Sequence, residues 1–466
     1  MGLSLYFLIH PVTAVGFGVS SNMKKWLMIA VCLLVVLAGA LVVTYNSLLS
    51  KNFLVAKIEE SIDSRVQIGG LGVSLFSIPA KVVISDVIIT ERDDAARDGV
   101  PHDERDVLKD GKIRVDEIRF DVTLQELFSK EIKVNKLIVT GAHADLVMNE
   151  AGELNLSSLF ATPPETLKEK ERKEKEGLNA KDSPAFITAL DRFTLEDSSF
   201  DLVIEKTGLE IVGREVNLGL SDIKVDPNAL EKVNEAHLEF AAQLEAFSSK
   251  KGRQKYGQIG LDGPARVRLF DPATGSLAPD AEIDFAIDSS SYVSSKAPYI
   301  VKLWDVTDKL VKIGVKAEPL SDRLTFGRDR KLNARYAGDR LDLREPVSLM
   351  VDDWEFVLNG GTWMELGTEQ HRSGVRLIAS AKVSEWVREH LQKLTDLVPE
   401  KNREQVKQEF LAQVFVEDRL NLKVSTDGAL SDPKVKLETR LPDAEKMVKD
   451  YAKTKVIDFL LDKLGE

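Results

Sequence analysis

Cysteine is almost absent from this 466-residue chain, which carries only Cys32. The rest of the chain therefore has no intramolecular disulfide and no thiolate metal site, and must rely on packing and backbone pairing. Prolines number sixteen and aromatics make up 7% of residues, which suits a regular aliphatic scaffold better than a loop-rich one. Catalytic signatures are missing too: there is no P-loop, no dinucleotide-binding glycine pattern, no HExxH and no GxSxG elbow. The six histidines (His10, His102, His143, His237, His371 and His390) are scattered, and no carboxylate pair stands out from the charged background. His102, within HDERD, has no second histidine nearby in sequence and reads as solvated. These absences predict a protein that is not an enzyme, with no cofactor and no metal ligands. The net charge of −12, with Lys and Arg dispersed among Asp and Glu, argues against nucleic acid as a partner, since that requires a basic face.

One long uncharged stretch is present. Residues 26–45, WLMIAVCLLVVLAGALVVTY, number twenty, and at ~1.5 Å per helical residue they match the ~30 Å hydrocarbon core of a bilayer. Trp26 and Tyr45 sit at its ends, where amphipathic rings favour the interface, and Leu34, Val35 and Leu37 lie within it. Lys24 and Lys25 precede the run, so the positive-inside bias predicts a single span, a cytoplasmic N-terminus and a large extracytoplasmic body. Ala38-Gly39-Ala40 has the form of a signal-cleavage site, but Leu41, Val42 and Val43 extend the run beyond it and favour an uncleaved anchor. Residues 1–22 are expected to be a non-native or disordered extension before a start at Met23.

Beyond the anchor (24–46), a short amphipathic helix is expected over Phe53–Ile62, with Leu54, Ile58 and Ile62 four apart. From there the period becomes two. In Ala236–Ala246 every second residue is apolar, including Leu238, Phe240 and Leu244. The same alternation recurs at Ile283/Phe285/Ile287, Trp354/Phe356/Leu358, Val375/Leu377/Ala379 and Leu420/Leu422/Val424. Such alternation predicts strands with one apolar and one polar face, the antiparallel habit. Asp116-Glu117 breaks the phase between Val115 and Ile118, as a bulge or bend does. Helices are expected over Pro298–Lys316, Val383–Leu397, Glu400–Val414 and, closing the chain, Asp443–Leu464. The charged stretch 163–184 reads as a solvated linker. The expected divisions are thus 47–162 (an N-terminal β region), 163–184 (linker), 185–442 (a central and C-terminal β region with helical insertions) and 443–466 (an amphipathic helix).

Three segments carry a recognisable pattern: VQIGGLGVSLFSIPAKVVISDVIIT from Val66; Glu131–Phe160, with Asn149, Gly152, Asn155 and Leu156 in its turn; and the C-terminal strand entering Asp432-Pro433 before the closing helix. In these the chain from Met23 onward resembles the AsmA-like family of Gram-negative envelope proteins; residues 185–400 match only in strand style. The resemblance implies an inner-membrane anchor and a periplasmic body of repeated strands curled into an apolar-lined groove. It further implies a role in phospholipid movement or outer-membrane assembly, with no catalytic residues to carry over.

The fold expected is mainly β: an N-terminal transmembrane helix, then an elongated, curved antiparallel sheet, groove-like or open-barrel-like, with a few amphipathic helices including the C-terminal one. The candidate groove lining is Leu238, Phe240, Leu244, Ile283, Phe285, Ile287, Trp354, Phe356 and Leu358. The alternation fits an accessible groove and a filled core equally well. The partners expected are the membrane, phospholipid acyl chains and envelope proteins, at the inner membrane with the bulk of the chain in the periplasm. The alternative is a periplasmic scaffold that binds proteins rather than lipid.

Overall fold

The computed structural model describes residues 51–439, apart from 75–79, 92–111, 123–132, 153, 160–188, 227–228, 249–251, 274, 276, 314–317, 366–369, 396–399 and 430–431. The described residues form two compact units: 51–288 with Arg335–Asp339, and Ser289–Ala334 with 340–439. The expected anchor and closing helix lie outside the described residues.

The first unit opens with α1 (Lys51–Ser61), close to the helix expected from the four-residue spacing. Its Leu54, Val55 and Ile58, with Ile62 just beyond, are buried against Val66, Ile68, Val82 and Ile84 of the first two strands. Glu59 accepts a hydrogen bond from the Val66 amide at 2.8 Å, fixing the turn from helix to sheet.

The strands that follow are β1 (Ser64–Ser74), β2 (Ala80–Glu91), β3 (Ile113–Val122), β4 (Lys133–Thr140), β5 (His143–Met148), β6 (Ala189–Ile204), β7 (Leu209–Val225), β8 (Asn234–Ser248), β9 (Gln254–Phe270) and β10 (Leu277–Ile287). A four-residue helix, α2 (Leu156–Leu159), lies between β5 and β6. Neighbours pair antiparallel from β1 to β3 and from β6 to β10. β4 and β5 are collinear: both pair antiparallel with β3, and both pair parallel with β6.

This corrects the expectation of a purely antiparallel sheet; the sheet is mixed. Alternation reports which face of a strand is buried but not the direction of its neighbour. Direction is set by the connection, and parallel neighbours require a crossover of a dozen or more residues. Here the chain between Met148 and Ala189 supplies it, and the charged stretch 163–184 falls within that crossover, outside the described residues.

A line of irregularities crosses this sheet. Asp86 (φ 53°) is skipped between Ser85↔Glu117 and Val87↔Val115, which places the break where the phase slips at Asp116-Glu117. It continues through Gly141 (φ 65°), Asp197 (φ 50°) and Glu215 (φ 50°), at the register shifts of β6 and β7. Gly141 suits the left-handed conformation it adopts, and a Cβ there would lie 2.0 Å from Asp116 Oδ2, so any other residue would have to displace the Asp116 side chain. The register between β2 and β3 runs through the break unshifted, whereas it shifts at β6 and β7, and bulges of that kind increase the local twist of a sheet.

The second unit contains β11 (Tyr292–Ser294), α3 (Pro298–Trp304) running into a 3-10 helix (Asp305–Ile313), β12 (Arg323–Phe326), β14 (Arg340–Leu343), β15 (Val347–Val351), β16 (Trp354–Leu358), β17 (Trp363–Glu365), β18 (Gln370–Ala379), α4 (Ala381–Thr395), α5 (Glu400–Val414), β19 (Phe415–Val416), β20 (Arg419–Ala429) and β21 (Lys434–Leu437); β13 (Lys331–Ala337) has residues in both units. The order β11, β12, β15, β16, β18, β20, β21 is antiparallel throughout. Ser380 caps α4, accepting the Val383 amide at 3.3 Å.

Candidate functional site

The nine candidate lining residues fall on three strands. Leu238, Phe240 and Leu244 lie on β8 and Ile283, Phe285 and Ile287 on β10, all in the first unit, while Trp354, Phe356 and Leu358 lie on β16 in the second. The first six thus belong to the buried apolar residues of the first unit and the last three to those of the second. On β8 every inward position from Ala236 to Ala246 is apolar and buried. β8 and β10 flank β9, so Leu238 aligns with Ala265 and Ala265 with Ile283. Phe240 and Phe285 stack with centroids 5.4 Å apart. Their meeting point is Gly263 (φ 149°), where a Cβ would approach the Asp284 carbonyl oxygen to 2.5 Å.

All nine are buried, Trp354 being the most accessible at 7%. On β16 the cover is visible: Trp304 at the end of α3 packs edge-on to Trp354 at 5.2 Å and lies 6.0 Å from Phe356.

Two polar arrangements had no counterpart in the sequence reading. The first is a buried network in the second unit. Tyr299 on α3 places its hydroxyl 2.7 Å from Ser373 Oγ on β18 and 2.6 Å from Thr426 Oγ1 on β20. Ser373 and Thr426 are themselves 2.6 Å apart. His371 Nδ1 donates to the Gly428 carbonyl at 2.7 Å, because a carbonyl only accepts, and Nε2 meets Thr426 Oγ1 at 2.9 Å. Burial pushes the Tyr299 hydroxyl up to about 12 and holds the His371 imidazole below its ordinary value. Both stay neutral at physiological pH, so the network fixes geometry rather than moving charge.

The second is on β5 and β6. His143 and Asp145 point from one face of β5, and the parallel register sets Ser199 beside His143 and Asp201 beside Asp145. The three ligand-type atoms of His143, Asp145 and Asp201 lie within 4.8 Å of one another. The one sequence signal for this site was the same-face pair His143-x-Asp145; Asp201 lies too far along the chain to be associated with it by spacing. His237, on the polar face of β8, bonds Glu239 at 2.7 Å instead.

Farther along the first unit, a cleft of about 500 Å³ is lined mainly by polar residues including His237, Arg266, Arg268 and Asp280. Arg335 grips both oxygens of Asp280 at 2.9 and 2.8 Å, and that guanidinium, helped by Arg268, holds the carboxyl below its ordinary range.

A family model described as AsmA family matches residues 22–270, more than half of the chain and the whole span from α1 to β9. The chain belongs to the AsmA family. AsmA membership makes it an envelope-related protein and agrees with its mainly β body. No curated protein and no solved structure matches it. The AsmA match also takes in the expected anchor residues Trp26, Leu34, Val35, Leu37 and Tyr45, which lie outside the described residues. Among the described residues no helix is long and apolar enough to cross a membrane.

Proposed function

We propose that this AsmA-family chain is a single-span inner-membrane protein whose β-rich body lies in the periplasm and shields phospholipid acyl chains during envelope biogenesis, without catalysis. The observation that carries the reading is the continuity of the apolar face. Six inward positions in succession on β8, from Ala236 to Ala246, are apolar, and β10 repeats the pattern at Ile283, Phe285 and Ile287. Hydrocarbon gains about 25 cal/mol for each Å² removed from water, and an acyl chain laid among these buried side chains meets no polar interruption. The twenty-residue run after Lys24-Lys25 supplies the tether at the surface where lipid is collected.

The test is uptake of a fluorescent fatty-acyl probe by the delipidated full chain, compared with a peptide of residues 1–50. The reading expects saturable uptake in excess of that by the peptide. Equal uptake by the two would overturn it.

A second reading is favoured by the burial of all nine lining residues and by the cover of Trp304 over Trp354 and Phe356. Under it, the apolar faces are closed core and the body is a scaffold that docks envelope proteins. Crosslinking that returns a defined protein and no lipid would support this alternative.

A further inference from the structure

We propose that His143, Asp145 and Asp201 form a binding site for a divalent cation of the zinc type. The proposal is independent of the acyl-chain reading. His143 stands at the first position of β5, directly after the break at Gly141, where the Ala142 amide is held by Ser198 Oγ at 3.2 Å. Its Nδ1 lies 2.8 Å from Ser199 Oγ, which turns the ring so that Nε2 faces the two carboxylates. Asp145 Oδ1 is 3.3 Å from Nε2 and Asp201 Oδ2 is 3.8 Å away. As it stands, Nε2 is within hydrogen-bond reach of Asp145 Oδ1, a contact in which the carboxylate accepts the Nε2 proton. A cation replaces that proton, Nδ1 then donates to Ser199, and the Nε2 lone pair and two carboxylate oxygens converge on one point. Such a convergence is stabilised by a positive centre between them.

The spacing suits a metal. With bonds of about 2.0–2.2 Å in a tetrahedral shell, neighbouring ligand atoms lie roughly 3.3–3.6 Å apart. The Asp145 distance falls within that range, and a small rotation of the half-exposed Asp201 brings its oxygen in. One imidazole nitrogen with two carboxylate oxygens is a borderline donor set, which zinc accepts and magnesium or calcium, preferring oxygen alone, does not. Ser199 plays the part of the outer hydrogen-bond partner that orients a ligating histidine. Three protein ligands leave the fourth position for water or an anionic oxygen. The parallel pairing of β5 and β6 holds the geometry, since Asp145 and Asp201 are register partners on neighbouring strands.

Isothermal titration of the metal-stripped full chain with zinc chloride tests this. One equivalent is expected at this site, with His143→Gln and Asp201→Asn each weakening it at least tenfold and Ser199→Ala weakening it by about tenfold. His237→Gln, on β8 and bonded to Glu239, is expected to bind as the parent does. A readout free of substitutions is cobalt(II) added to histidine-labelled parent chain, which is expected to shift the His143 ring resonances strongly. The proposal is overturned if the parent takes up no zinc. It is equally overturned if the two ligand substitutions bind like the parent, or if both His143 ring nitrogens stay protonated with excess metal, which would make the cluster an ordinary ion pair.

Discussion

Thr426→Val is the most informative single change in the second unit. Valine keeps the shape of threonine but removes a hydroxyl that meets three groups: Tyr299 Oη at 2.6 Å, Ser373 Oγ at 2.6 Å and His371 Nε2 at 2.9 Å. Proton counting sets the consequence. His371 Nδ1 donates to the Gly428 carbonyl, so Nε2 of the neutral ring accepts and the Thr426 hydroxyl must donate to it. Only the Tyr299 and Ser373 protons remain for the three contacts among Tyr299, Ser373 and Thr426. In the variant, Tyr299 and Ser373 keep each other at 2.7 Å, but buried Nε2 loses its donor outright. A buried unsatisfied group costs about 1–3 kcal/mol, and each further net hydrogen bond lost costs about 0.5–1.5 kcal/mol. The expected loss is therefore about 2–4 kcal/mol, a fall in melting temperature of roughly 5–15 °C for a unit of this size. Tryptophan fluorescence reports it well, because Trp304, Trp354, Trp363 and Trp386 all lie in this unit and only Trp26 lies elsewhere. Urea unfolding of the two proteins side by side gives the difference. A variant within about 0.5 kcal/mol of the parent would refute the proton assignment and the claim that the network pins α3 to the sheet.

Other consequences follow from the same geometry. Because burial lowers the His371 value below its unfolded one, the stability it contributes is complete above about pH 6.5 and is lost as pH falls through the folded value, by at most ~1.4 kcal/mol per pH unit; His371→Gln should flatten the pH dependence of urea midpoints between pH 7 and 5. Gly263→Ala should destabilise the first unit by several kcal/mol, since the Cβ meets a backbone carbonyl beneath the Phe240–Phe285 stack, and a thermal melt within a degree of the parent would contradict this. Arg335→Gln removes the fork on Asp280 at a half-exposed site, so a cost of only about 0.5–1 kcal/mol is expected. That cost should shrink in 1 M salt; a salt-independent loss would mean that packing, not charge, is the main term.

Much of the body was legible in sequence because strand alternation and helix spacing are local signals. Ala236–Ala246 lies within β8, Glu400–Val414 is α5 residue for residue, and the phase slip at Asp116-Glu117 marks a break that spans several strands. What escaped was non-local. The parallel pairing of β4 and β5 with β6 depends on a crossover that alternation cannot encode. Pro298–Lys316, expected as one helix, is α3 followed by a 3-10 segment over Asp305–Ile313, its last residues lying outside the described ones; the change comes directly after Trp304, which packs on Trp354 and Phe356. Strand period marks the lining residues but cannot divide them between two units. The His143 cluster needs Asp201, brought in only by β6, and His371 reads in sequence as one histidine among six although its strand sits beneath Tyr299.

Shielding of acyl chains by the apolar face of β8 and β10 is tested most directly by photo-crosslinking in intact membranes. A photoreactive residue is placed at Phe285 in one full-length chain and at the outward Glu239 in another, and the adducts are identified by mass spectrometry. Phospholipid adducts are expected at position 285 and none at position 239. Adducts confined to this chain or to other proteins at both positions would contradict it and leave the closed-core scaffold standing.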